Sequence, residues 1–197
     1  MVNLNKYNYN GWTLSKDALR CLSSIIIDNK LNRAIEFGSG ESTYFLNDIG
    51  IDYLSFDNDV KFAAKSNNVV VKSLVELDDI AFNEVITGKV KFVDICYKFQ
   101  TPNKIHTRQR NCFYKINKDD ISGKFDLVIL DGPNGNGRSI AFDVIQDHMD
   151  DVCFIFIDDY NHYPFVDIMY NFFNSATLIK SNNVIGDMWE LYKIEKI

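Results

Sequence analysis

Five acidic residues stand at the ends of apolar runs: Glu36 within the end of Arg33–Phe37, Asp57 after Tyr53–Phe56, Asp131 after Phe125–Leu130, and Asp158 and Asp159 after Cys153–Ile157. Singly, each reads as a solvated strand end or a helix cap. If the fold gathers them on one rim they favour a site, because converging carboxylates repel unless cations or hydrogen-bond donors offset the repulsion. The turn Gly38-Ser39-Gly40 directly follows Glu36, and its glycines permit a tight bend and close backbone approach to a ligand. Among the three histidines, His162 follows the fifth run by a few residues and is the candidate general base; the alternative is a loop histidine bonded to its own turn. Arg138 either clamps a substrate or pairs with Asp131. His148, near the end of a helical stretch, complements a helix dipole.

The elements that must position these residues alternate. Behind Ser15, a candidate N-cap, the spacing of Ala18, Leu19, Leu22, Ile25 and Ile26 predicts an amphipathic helix within 14–31. Strand Arg33–Phe37, the glycine turn, and a helix capped by Ser42 and Thr43 and stopped by Gly50 come next. Tyr53–Phe56 predicts a strand, Val60–Lys65 a short helix and Val69–Lys72 a third strand. Phe125–Asp131 is the clearest strand; a helix over Ser139–Met149, a fifth strand Cys153–Ile157, a helix Phe165–Phe173, and strands Ala176–Lys180 and Trp189–Lys193 follow. Alternation of this kind predicts an α/β fold with a mostly parallel sheet covered on both faces. In such a sheet ligands bind outside the carboxyl ends of the strands, where the five acids fall. Residues 74–122 resist the scheme and read as an irregular insertion beside the substrate site.

Composition narrows the classes. The 197 residues, 46% hydrophobic, suffice for one domain with a full core, and three prolines and ten glycines leave no linker. A net charge of −6 speaks against a polyanion such as nucleic acid as partner. Cys21, Cys96, Cys112 and Cys153 form no C-x-x-C pair, which suits reduced thiols in a cytoplasm. Met1–Lys6 is polar, and no run reaches the roughly eighteen apolar residues of a span, so the reading is a soluble protein without a membrane partner. Tyr114, Tyr160, Tyr163 and Trp12 could stack on a ligand or sit in the core. The strip Phe165, Ile168, Met169, Phe172 and Phe173 fits a covered helix or a homodimer contact, with core the simpler reading.

Glu36-Phe37-Gly38-Ser39-Gly40-Glu41-Ser42-Thr43, with Asp57 about twenty residues on, resembles the first motif of class I S-adenosylmethionine-dependent methyltransferases. A dinucleotide fingerprint wants a third glycine where Thr43 stands, which favours a donor without phosphate. The resemblance implies a Rossmann-like methyltransferase fold over one domain, 1–197, with a seven-stranded mostly parallel sheet, an antiparallel C-terminal strand pair, and residues 1–32 as helical cover. It further implies that Gly38, Ser39, Gly40, Ser42, Thr43 and Asp57 hold S-adenosylmethionine, with Glu36 orienting its amino group and Asp57 accepting both ribose hydroxyls.

Two further stretches are similar to subgroups of that family. Asp131-Gly132-Pro133 with Gly137-Arg138-Ser139-Ile140-Ala141 resembles sugar-directed O-methyltransferases, including glucuronoxylan-type enzymes. Ile157-Asp158-Asp159-Tyr160-Asn161-His162 resembles metal-dependent O-methyltransferases, which implies Mg²⁺ or a similar divalent cation on Asp131, Asp158 and Asp159 and a lowered pKa for a bound acceptor hydroxyl. Under this reading Asp131, His162 and Arg138 position and deprotonate a small-molecule or saccharide acceptor. Arg108 or Arg110, beside Lys104 and His106, would pair with an anionic acceptor such as a uronic acid, or form a solvated basic face. The rivals are a metal-independent methyltransferase, an aminopropyltransferase-like enzyme and a non-catalytic nucleoside-binding protein.

Overall fold

A computed structural model describes residues 2–102 and 111–195. His106, Arg108 and Arg110 lie outside the described residues. Ser15 accepts from the Ala18 amide at 3.0 Å and starts α1 (Lys16–Asn29), which Lys30 ends in the left-handed conformation. After it come β1 (Arg33–Phe37), α2 (Glu41–Ile49), β2 (Asp52–Asp57) and β3 (Val69–Val71). Then follow β4 (Leu74–Glu76), α3 (Asp79–Ile86), α4 (Phe92–Ile95), β5 (Cys112–Tyr114) and β6 (Phe125–Leu130). The chain continues through α5 (Ile140–Ile145), β7 (Met149–Asp158), α6 (Phe165–Met169), β8 (Thr177–Val184) and β9 (Asp187–Glu195).

Seven strands form one sheet in the order β3-β2-β1-β6-β7-β9-β8, parallel except where β9 pairs antiparallel with β7 and β8. The order reverses direction between β1 and β6, the crevice where open α/β sheets take their ligands. All six residues of β6 are buried, as expected of a strand covered on both faces. One face packs Ala34, Leu127, Ile129, Phe156 and Trp189 under α1 and α2. The other packs Ile35, Phe37, Phe56, Val128 and Leu130 under α3 to α6 and β5.

Several predicted elements change form. Residues 60–65 make one turn and no helix: Phe62 and Ala63 amides both reach the Asp59 carbonyl, then Ala64 and Lys65 amides go to the hydroxyls of Ser39 and Tyr44. With Val60 and Phe62 exposed, that stretch has no apolar face to bury. The helix expected over Ser139–Met149 shortens to α5 between two 3₁₀ turns, Asn136–Ser139 and Gln146–His148, because Met149 pairs with Phe125 and begins β7. The helix over Phe165–Phe173 ends at Met169, whose carbonyl takes the amides of both Phe172 and Phe173; Phe165, Ile168, Met169 and Phe173 are core.

Residues 74–122 are not irregular throughout. β4 and β5 form a second, two-stranded antiparallel sheet, with Leu74 opposite Tyr114 and Glu76 opposite Cys112. Asp78 caps α3 on the Ala81 amide at 2.8 Å, and buried Asp143 of α5 accepts the Phe92 amide at 2.7 Å, which anchors α4. The four cysteines are buried thiols. Among the described residues no helix is long and apolar enough to cross a membrane.

Candidate active site at the carboxyl ends of the parallel strands

Glu36 is wholly buried in β1 on the face covered by α2. Its Oε2 accepts from Thr43 Oγ1 and from Ser55 Oγ, each at 2.6 Å, while Oε1 has no hydrogen-bond partner. Burial pushes the carboxyl above its usual range, and the hydroxyls around it only partly oppose this. Thr43 Oγ1 in turn accepts the Gly40 amide at 3.0 Å, so Thr43 is part of the helix and fastens the turn; α2 begins at Glu41, one residue before the expected caps. Ser42 and Thr43 are both buried.

Gly38 takes φ +95°, and a Cβ there would stand 2.7 Å from the Gly132 nitrogen. Only glycine allows the turns after β1 and β6 to touch in this way. At Gly40 the same position is open space, leaving the backbone approachable. Asp57, ending β2, accepts from the Ser39 amide at 3.1 Å, the Ser39 hydroxyl at 3.0 Å and, through Oδ1, the Asp59 amide at 2.9 Å. A carboxylate offers about four lone-pair positions, so Asp57 is fixed in place with acceptor capacity to spare.

Asp131 and Asp158 meet at the ends of β6 and β7. Their carboxyls are hydrogen-bonded to each other. Burial, then the Asp158 charge, drives Asp131 well above the carboxylate range. Burial, followed by the Asp159 charge, raises Asp158 to about 6. The pair is thus a proton acceptor that ionises near neutrality.

Arg138 sits beside them, 2% exposed. Its guanidinium donates to the backbone carbonyls of Asp131 at 3.0 Å, Asp158 at 2.9 Å and Pro133 at 3.1 Å, over the Phe165 ring. These bonds tie the two strand ends together, through the Asp131 carbonyl and not its carboxylate.

The cation expected on Asp131, Asp158 and Asp159 finds no support in this arrangement. Among the described residues no three of His, Cys, Asp and Glu come together to hold an ion. Asp159 adopts φ +54° with its amide on the Met188 carbonyl, and its half-exposed carboxylate turns away toward His162 Nδ1, 3.5 Å off. His162 is exposed and its amide bonds back to the Asp159 carbonyl, as a histidine held by its own turn would. His148 lies on the surface with Nδ1 3.3 Å from the Gly123 carbonyl.

No family model matches the chain, and no curated protein does. Solved structures do. A Staphylococcus aureus protein provisionally assigned as a caffeoyl-CoA O-methyltransferase is 11% identical, with TM-score 0.52 over 98% of this chain and 88% of that one. The SAH-bound Podospora anserina methyltransferase PaMTH1 is 12% identical, with TM-score 0.51 over 94% and 81%. A T. thermophilus 16S rRNA N2 G1207 methyltransferase, in complex with AdoMet and guanosine, is 10% identical with TM-score 0.51; the match covers 91% of this chain but 42% of that one, so the chain spans less than half of its length. The chain has the Rossmann-like methyltransferase fold.

One site residue escapes a sequence reading. Ser55, a hydroxyl inside the apolar strand Tyr53–Asp57, is a visible anomaly: a buried serine needs a partner, and Glu36 opposite it in register is that partner. Tyr114, expected on a ligand or in the core, is in the core. The antiparallel pair places it, 1% exposed, over Phe37 with centroids 6.1 Å apart, its hydroxyl crowding Gly132. Burial and then the charge of Asp57 hold this phenol neutral. Trp12, in contrast, is exposed.

Proposed function

We propose that the chain transfers the methyl group of S-adenosylmethionine to an oxygen of a small-molecule or saccharide acceptor, without a metal ion. The observation that carries this reading is Glu36: a buried carboxylate with an unpartnered oxygen, beneath a glycine turn and opposite Ser55, two residues before Asp57 on the next strand, in a sheet of methyltransferase order. An orphaned buried acceptor awaits a donor, and the amino group of the methyl donor suits it. Asp57 accepts a ribose hydroxyl at its remaining position, Gly38 and Gly40 bring backbone close, and Ser39, Ser42 and Thr43 keep the turn in shape. When bound, the donor supplies an electrophilic methyl carbon on a sulfonium.

The chain's own residues then have two tasks. Holding the reactants in line is worth roughly 7–11 kcal/mol. The other task is taking the acceptor proton, which falls to the Asp131–Asp158 pair: ionised Asp158 accepts it, and Asp131, already protonated, stabilises the charge until then. Arg138 is a positioning residue that fixes the distance between the two strand ends through backbone carbonyls.

The reading is tested by following S-adenosylhomocysteine release while candidate sugars and phenols are screened. Acceptor-dependent release that survives EDTA and is lost in Asp158→Asn is the expected result. Release abolished by EDTA and restored by Mg²⁺, or undiminished in Asp158→Asn, contradicts it.

A further inference from the structure

Beyond the end of β7, β9, α6 and the turn over 159–164 line an open groove of about 270 Å³. Glu190 and Tyr192 lie two residues apart on β9 and so share the face that packs against α6. Tyr160 and Tyr163 come from the turn, and Asp167 from the first turn of α6. Buried Tyr192 donates its hydroxyl to Glu190 Oε2 at 2.6 Å, which fixes that carboxylate in the groove wall, and Tyr160 is held by Asn183 at 2.8 Å.

The lining is one-sided in charge. It contains two carboxylates and three tyrosines and no Lys, Arg or His, and among the described residues neither Asp167 nor Glu190 forms an ion pair. Aromatic faces beside unpaired carboxylates attract a cation that also carries apolar carbon: the ring quadrupole and the acid charge act together, and the carbon shell displaces water from the rings. An anionic ligand meets only like charge there. A neutral one leaves the carboxylates without their counter-charge. The volume is somewhat below that of drug-sized pockets, about 300–1,000 Å³, and suits a compact head group.

We propose that this groove binds an organic ammonium ion, its charge between Asp167 and Glu190 and its methyl or methylene groups against Tyr160 and Tyr163. The proposal is independent of methyl transfer: neither Asp131 nor Asp158 lines the groove, and its occupancy requires no methyl donor.

The test is an amide-resolved NMR titration of the full chain with tetramethylammonium chloride at constant ionic strength, beside neopentyl alcohol as a neutral isostere and glucuronate as an anion. Saturable shifts confined to 159–167 and 187–192 are expected with the ammonium alone. Glu190→Gln, which keeps an acceptor for Tyr192, and Asp167→Asn, at an exposed position, should each weaken binding about fivefold or more with the melting temperature preserved. Equal response to the alcohol would mean a merely apolar groove. That result, or ammonium binding unchanged in both variants, or no saturable shift, overturns the proposal; S-adenosylhomocysteine binding, measured in the same samples, reports separately on the donor site.

Discussion

In the proposed reaction the Asp131–Asp158 pair takes the acceptor proton, and its burial carries a stability cost. Asp158 ionises near 6 in the folded chain against an ordinary 3.8. A raised folded pKa contributes stability that is fully present below the unfolded pKa and is lost as pH rises through the folded one, so the pair weakens the fold between about pH 4 and 6 and above. Asp158→Asn should therefore melt higher than the natural chain at pH 7.5, by roughly 1–3 kcal/mol in stability, with the difference vanishing near pH 4. The same variant loses turnover, whereas in the natural chain turnover rises through about pH 6 as the base ionises. A pH series of thermal melts and rates checks both signs. At Gly38 the strain is conformational: Gly38→Ala combines φ +95° with a Cβ 2.7 Å from Gly132, and should cost about 1–3 kcal/mol or more and abolish donor binding. A melting curve and a binding isotherm like those of the natural chain would contradict it.

Among the elements, those that were legible in sequence are the ones whose own residues decide them. β1, β6 and β7 are apolar runs long enough to declare themselves, and Ser15 and the glycines mark the starts and stops of the flanking helices. Residues 60–65 were misread because their amides are taken by Ser39 and Tyr44, partners that only the tertiary fold supplies. β4 and β5 escaped because each is three residues long and they pair across two intervening helices, leaving no local alternation to read. For the site, the acids at Glu36, Asp57, Asp131 and Asp158 were legible as strand ends; the direction of Asp159 was not, since it depends on a positive φ at a non-glycine residue. The β4–β5 pair also makes a prediction at this scale. A Cβ on Gly137 would fall on the Cys112 carbonyl, so the 3₁₀ turn before α5 and the β5 backbone touch directly. Gly137→Ala should destabilise the chain by about 1–3 kcal/mol and speed proteolytic cleavage around β5, readable by limited digestion; unchanged digestion would show the contact to be dispensable.

Across the whole molecule, the sheet order places the glycine turn, Asp57 and the carboxyl pair on one rim, with the groove beside α6 lined by other residues. A ligand that binds only the folded chain raises its stability by mass action, about 2.7 kcal/mol at one hundred times the dissociation constant. For a chain of this size that is a rise of roughly 5–10 °C, expected with S-adenosylhomocysteine and absent with NADH. The most direct measurement is calorimetric titration of the natural chain and of Asp57→Ala with S-adenosylhomocysteine. Saturable one-to-one binding by the natural chain, weakened roughly tenfold or more in the variant by the loss of a ribose hydrogen bond to a charged acceptor, is the predicted result. No heat with that compound, together with binding of a nicotinamide nucleotide at the same turn, would contradict it.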